Sequence, residues 1–497
     1  MTKIVEMKRF IKYITIFIVL SSVFSACDEW LEATSNTQLP AEKLFETKSG
    51  FYDALTGVYI AMGDENAYGA AYTWKVNDMV ALPYVLTTDN EFVTWQTHLY
   101  HNIIAQEDIP LFWQQSYNII ANINIILREL DSHRDVVPDD VEYNLIKGEL
   151  LALRAYVHFD LLRMFGVSEW NETNASKLTV PYMTKYSKDE EIQRSYAETE
   201  ALLMNDITTA IQCLSADPIT GNIPDNFNSV INADGYWNNR TKHMNYYATR
   251  ALLARVYQWK NDLESAAEEA QAVLTGLFDN KVVEWVDYAA FVTAESDDRR
   301  DWTFSTEHIF SLEVTQLQDY ISGYLLSITD NIAIRLTSDV VNELLYPSAD
   351  LASSTDIRGP RMLLKFGTLG YSCFKLYGST SYPQEYRNRM PMIKISEMYY
   401  IIAENHIKQN QNAEALAVLD EVRSKRGVST TLADDANAEE ELMKEYYREF
   451  LSEGQMFYYL KHKNLTPKIW TDFSLTTDDL IYPYPQSEID YGRVQEL

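Results

Sequence analysis

The chain has 497 residues, with 42 Lys and Arg against 72 Asp and Glu, a formal charge of −30 and only 3 Cys. That balance excludes non-specific nucleic-acid binding and docking on an anionic membrane through a basic patch, both of which need clustered cations; so few cysteines in so long a chain exclude a disulfide framework. Hydrophobic residues reach 46%, with 10 Trp, 34 Tyr and 19 Phe, so the chain buries a core rather than staying disordered, and its aromatic excess needs an explanation.

Residues 1–26 read as a signal peptide. Lys3, Lys8, Arg9 and Lys12 precede the apolar run Ile14–Phe24, which is far short of the roughly 20 residues that span a bilayer. Ser25 and Ala26 then precede Cys27. This arrangement resembles a bacterial lipobox, with Phe24 where Leu is usual, and implies that Cys27 is lipidated and becomes the mature N-terminus; the alternative is a plain signal peptide with an incidental cysteine. Removing the leader makes the chain more acidic. Asp28 and Glu29 resemble a surface-export signal of Bacteroidetes lipoproteins. Residues 27–45 are polar and serve as a tether.

Helical periodicity follows. It predicts helices over Phe51–Met62, Phe112–Leu130, Val141–Phe165, Tyr196–Leu214, Met244–Lys260, Leu263–Leu274, Ile395–Gln409, Ala413–Arg426 and Glu439–Leu460. In the third, Leu150, Leu153, Val157, Leu161 and Met164 make one apolar stripe, and Gly166 is its expected C-cap. Cys213 is expected in the core; whether it pairs with Cys373 is left open.

Two segments share one pattern. Ala254, Tyr257, Ala266, Ala270 and Val273 have the same spacing as Ala403, His406, Ala415, Leu419 and Val422. Small residues at these places let two antiparallel helices approach closely, as in the tetratricopeptide (TPR) helix-turn-helix. The fold class is therefore mostly α: a TPR-like scaffold with long irregular insertions and a few short strands. The expected organisation is an N-terminal region 46–243, a central repeat 244–277, and a C-terminal region 278–497 holding the repeat 394–426. Insertions fall near Gly63–Leu111, Asp217–His243 and Phe278–Pro391. Within the third, Ile309–Val314 reads as a short strand and Tyr371–Tyr377 alternates weakly.

The order of motifs resembles the SusD/RagB family of outer-membrane nutrient-uptake lipoproteins. Ala152–Gly166 is similar to the family's long-helix signature, Val180–Tyr182 to the segment after it, Tyr196–Leu214 to the next helix, and Tyr247–Leu274 to the central TPR. Ile393–Glu404 resembles a later helix, with Lys394 where Arg is common. Glu449–Leu460 resembles E-x3-EG-x-RFxDL, with Met456 and Tyr459 departing from it. Tyr482–Ile489 resembles the closing YPIPxxEI. The resemblance implies a surface lipoprotein of the outer membrane that captures an oligosaccharide, or in some members a peptide, and delivers it to a SusC-like TonB-dependent transporter, without covalent chemistry or a cofactor.

No G-x-S-x-G elbow, H-E-x-x-H helix, Walker A loop or C-x-x-C pair occurs. The 8 His show no ligand spacing, so no metal is expected, and the acidic run Glu295–Asp301 reads as a solvated turn rather than a calcium loop. A glycan-degrading hydrolase and a TPR adaptor that binds only its partner protein are the alternatives. An exposed Trp or Tyr stacks on the apolar face of a sugar while polar neighbours satisfy its hydroxyls. In the family the ligand site draws on the first insertion and the later loop region, which here supply Trp74, Tyr84, Trp95, Trp302, Tyr320 and Tyr324, with Asn77, Asp78 and Arg335 as polar partners.

Overall fold

The computed structural model describes residues 41–494 except 83, 85, 88, 168–169, 188–191, 295–298, 326, 328–331, 347–353, 360–361, 366–369, 378–385, 467–475 and 493. The signal peptide, Cys27 and most of the tether lie outside them. The end of the tether is not irregular, because Ala41–Leu44 forms a helical turn.

Each predicted helical stretch is helical over most of its length, with changes at the ends and, in one case, a break in the middle. Helix α1 (Lys48–Met62) is capped by Thr47, whose hydroxyl accepts from the Gly50 N–H. Helix α2 (Ile103–Ser132) starts well before the expected Phe112 and contains Pro110. Proline near a helix start loses one intrahelical hydrogen bond, which the remaining turns outweigh here. Helix α3 (Asp140–Phe165) carries no simple stripe: it is buried nearly all round from Leu145 onward. A helix can be hydrophobic on only one stripe and still be central if its other faces are paired, and here Arg154 makes a bidentate pair with Asp206 (2.6 and 2.8 Å) while Glu149 meets Arg240. Gly166 follows α3 but in extended backbone, not the left-handed cap; a Cβ there would sit 2.5 Å from the Tyr196 hydroxyl, so close approach is what requires glycine. Helix α4 (Tyr196–Cys213) begins on a capping box, Ser195 with Glu198.

The two repeats are helix pairs, α5 (Tyr246–Trp259) with α6 (Leu263–Asp279), then, after helix α7 (Leu317–Leu325), α8 (Ile395–Lys408) with α9 (Asn412–Lys425). Although distant in sequence, they stack directly, α6 against α8. Ala254, Ala266, Ala270, Val273 and their counterparts Ala403, Ala415, Leu419, Val422 are all fully buried. Both turns place an asparagine in the left-handed region, Asn261 at φ 59° and Asn410 at φ 58°, a conformation Asn tolerates better than most residues.

The expected helix Glu439–Leu460 is two, α10 (Ala438–Glu449) and α11 (Gln455–His462). Ser452 and Gly454 between them have φ of 67° and 72°, and their N–H groups donate to the buried Asp78 carboxylate at 2.7 and 3.0 Å. A side chain some 370 residues away in sequence therefore ends the helix.

Strand β1 (His308–Glu313) pairs antiparallel with β4 (Arg389–Lys394), and β2 (Leu363–Lys365) with β3 (Tyr371–Cys373). The weakly alternating stretch Tyr371–Tyr377 is a strand over its first three residues. Single bridges join Tyr84 to Leu336 and Leu336 to Tyr371, which ties the first insertion to the third. Among the described residues, no helix is long and apolar enough to cross a membrane, and Cys213 and Cys373 are free thiols, Cys213 only half-buried rather than in the core.

The motif residues near the C-terminus form a buried ion network. Arg426 grips Glu307 at 2.6 and 2.7 Å and Glu449 at 2.8 Å. Arg358 reaches Asp356, Glu445 and Glu449, and Lys394 reaches Glu449 and Glu453 at 3.0 and 2.9 Å. Each cation has carboxylate partners, as burial of charge demands. The strand, the repeats and α10 are locked together there.

Candidate functional site

The first insertion is partly helical. It holds a π-helical turn Ala71–Lys75 kinked at Thr73, then short helices Val76–Ala81 and Val93–Gln96. These turns bury much of what the sequence offered as ligand contacts. Trp74 is 1% exposed, Trp95 0%, and Tyr84 7%. The Trp74 indole N–H donates to Gly69 O at 3.1 Å, and the Tyr84 hydroxyl donates to Asp78. Trp302 is buried too, in a separate small core with Phe291, Phe304, Ile357 and Met362. Tyr320 and Tyr324 alone of the six keep half-buried positions.

The proposed polar partners are interior. Asn77 donates to Tyr72 O and the Tyr458 hydroxyl and accepts from Tyr482. Burial pushes Asp78 up to about 7, against the pull of the Ser452 and Gly454 N–H groups. Arg335 donates to Ser327 O. Part of the acidic run Glu295–Asp301 lies outside the described residues; its last member, Asp301, accepts from the Ser305 N–H and hydroxyl at 2.6 and 2.7 Å, as a turn residue does.

What the fold does assemble is a tyrosine pair on α7, backed by the first insertion. Tyr320 and Tyr324 are one helical turn apart and so share a face. The Tyr324 ring packs on Trp74 (centroids 5.6 Å) and on Phe92 (5.3 Å). Lys75 Nζ lies 5.9 Å from the centroids of both Phe92 and Tyr324. Burial and then the Glu91 carboxylate raise the Tyr324 phenol above its usual value, and burial raises the Asp108 acid against the pull of Lys75. Burial and then the nearby Asp64 and Glu65 carboxylates raise the Tyr320 phenol above its usual value. The result is a half-buried aromatic surface fringed by carboxylate acceptors and one ammonium donor, suited to the C–H face and hydroxyl rim of a sugar. Sequence reasoning found Trp74, Tyr320 and Tyr324 but missed Lys75, Glu91, Phe92 and Asp108. Phe92 stands three residues from Trp95 in the same insertion, a signal that was available.

Two clefts contain none of the six. One, of about 930 Å³, lies over the repeats and is lined by Tyr246, Arg250, Glu268, Gln271, Asn405 and His406. The other, of about 1050 Å³, runs between Tyr100, Pro110, Lys177, Pro483, Tyr484 and Ile489; its Tyr482 and Tyr484 are buried and offer no free stacking face.

Comparison with known proteins matches residues 29–230 to a family described as "Starch-binding associating with outer membrane" and residues 360–461 to the SusD family. The chain belongs to the SusD/RagB family. A SusD-like protein P2 from Formosa agariphila is 22% identical over 53% of this chain and 46% of its own length, so the chain matches under half of that relative. A SusD superfamily crystal structure from Bacteroides thetaiotaomicron superposes with a TM-score of 0.70 at 22% identity, covering 90% of this SusD/RagB chain and 99% of that one. A laminarin-binding SusD-like protein superposes with a TM-score of 0.60 at 18% identity, covering 90% and 99%. These structures share the fold of this SusD/RagB protein: a helical TPR-built body with small strand pairs.

Proposed function

We propose that this protein is a cell-surface receptor, anchored through a lipid on Cys27, that captures an oligosaccharide and passes it to a SusC-like TonB-dependent transporter in the outer membrane. The observation that carries the reading is the Tyr320–Tyr324 pair, half-buried on α7 and backed by Trp74 and Phe92 where two insertions meet. The laminarin-binding relative supports a glycan over a peptide as cargo. Capture requires no bond to be made or broken: the tyrosines stack on sugar rings, and the surrounding carboxylates and Lys75 exchange hydrogen bonds with hydroxyls. Isothermal titration against a panel of polysaccharides tests this. The Tyr320→Ala/Tyr324→Ala double variant should weaken binding about tenfold or more, given roughly 0.5–1.5 kcal/mol per aromatic contact beyond area burial, with circular dichroism unchanged. A wild-type protein that binds no glycan, or one that releases reducing sugars from them, sinks the proposal.

A further inference from the structure

The tyrosine platform carries a charge bias. On one side the loop after α1 folds back on itself, with Gly69 N donating to Asp64 O and Ala71 N to Glu65 O, and presents a half-buried Asp64 and an exposed Glu65. On the other, Glu91 is exposed and adjoins Phe92, whose ring packs on Tyr324 at 5.3 Å, and Asp108 is half-buried, both acting on the Tyr324 phenol. Against these four carboxylates stands Lys75, already placed over the Phe92 and Tyr324 rings and facing Asp108. The whole chain, these residues included, carries a formal charge of −30.

Resting on the platform as the glycan site, we infer that it selects neutral glycans and rejects polysaccharides bearing carboxylate or sulfate groups. The reason is elementary. A neutral sugar offers hydroxyl donors to every carboxylate on the rim. A uronate or sulfate ester laid on the same rings meets four like charges on the rim, and among the described residues of the platform only Lys75 opposes them. Specificity then arises from repulsion of the wrong ligand as much as attraction to the right one.

Affinity electrophoresis and titration calorimetry against neutral glucans, mannans and xylans, and against uronic and sulfated polysaccharides, test the inference. Whichever neutral glycan binds is then compared with the same glycan carboxymethylated. We expect the neutral form to bind about tenfold tighter at low ionic strength, with the gap closing as salt shortens the screening length. The Glu65→Gln/Glu91→Gln double variant should narrow that ratio about threefold or more, and Glu65→Lys further. The readout is the ratio, so loss of overall affinity in a variant does not imitate the effect. Equal affinity for the two forms, preference for the anionic one, or a gap that neither salt nor these substitutions move overturns the inference and leaves glycan capture standing. Binding of no glycan removes the capture reading and this one together.

Discussion

The carboxylate of Glu449 accepts from Arg426, Arg358, Lys394 and the Ser396 hydroxyl in a site with no solvent exposure. Burial alone would raise its acid, yet the surrounding cations hold it well below the usual range. Glu449→Gln should therefore cost about 3–5 kcal/mol in urea unfolding, since it strands buried cations without their shared partner. A change below about 1 kcal/mol would mean that Glu445 and Glu453 neutralise the cluster without it. Trp74 and Trp95 teach a complementary lesson. They look like ligand contacts in sequence, but the kinked turn at Thr73 holds Trp74 inward and the short helix Val93–Gln96 buries Trp95, leaving Tyr324 as the partner of Trp74 that stays at the surface.

At the scale of the element, the repeats were legible because small residues recur at fixed spacing and nothing else places Ala at each helix crossing. Their turns add a detail the spacing did not carry, a left-handed asparagine at the same place in each, Asn261 and Asn410. Asn261→Ala and Asn410→Ala should each lower stability by about 1 kcal/mol, the order of the left-handed penalty for a Cβ-bearing residue, while the Gly variants should not; thermal melts of the four variants check this. The break between α10 and α11 was not legible. Local propensity favours one helix, and the decision comes from Asp78 drawing the Ser452 and Gly454 N–H groups out of helical register. A Cβ at Gly454 would also lie 2.3 Å from Tyr72 O, so the turn admits only glycine.

For the whole molecule, three buried carboxylates set the acid limit. Burial would raise Glu149, Glu404 and Glu445, but Arg240 and His243, His462 and Lys463, and Arg358 and Arg448 respectively hold each at about 2. Because these folded values lie below the unfolded carboxyl value near 4.3, their contribution is complete above that pH and is lost as pH falls from about 4.5 toward 2. The melting temperature should drop steeply across that window; a flat profile down to pH 2.5 would contradict the sign. High salt should reduce it little, as the pairs are buried. At the same scale, Cys27→Ala should shift the protein from the outer-membrane fraction to the soluble one, and unchanged retention would remove the lipid anchor from the proposed function.

The sequence by itself determined the class of fold, because helical periodicity, caps and the repeated small-residue pattern are local signals, and determined the family, because seven motifs stand in order along the chain. Many of those motif residues, Lys394, Glu397, Glu449, Glu453 and Gly454 among them, turn out to build the scaffold: ion pairs, with Arg255 bonded to Glu397, and a glycine-only turn. Only the tertiary structure decided which aromatics face a ligand. Exposure is a property of what a side chain is folded against, and Trp74, Trp95 and Trp302 meet their neighbours across long stretches of chain that no local pattern encodes.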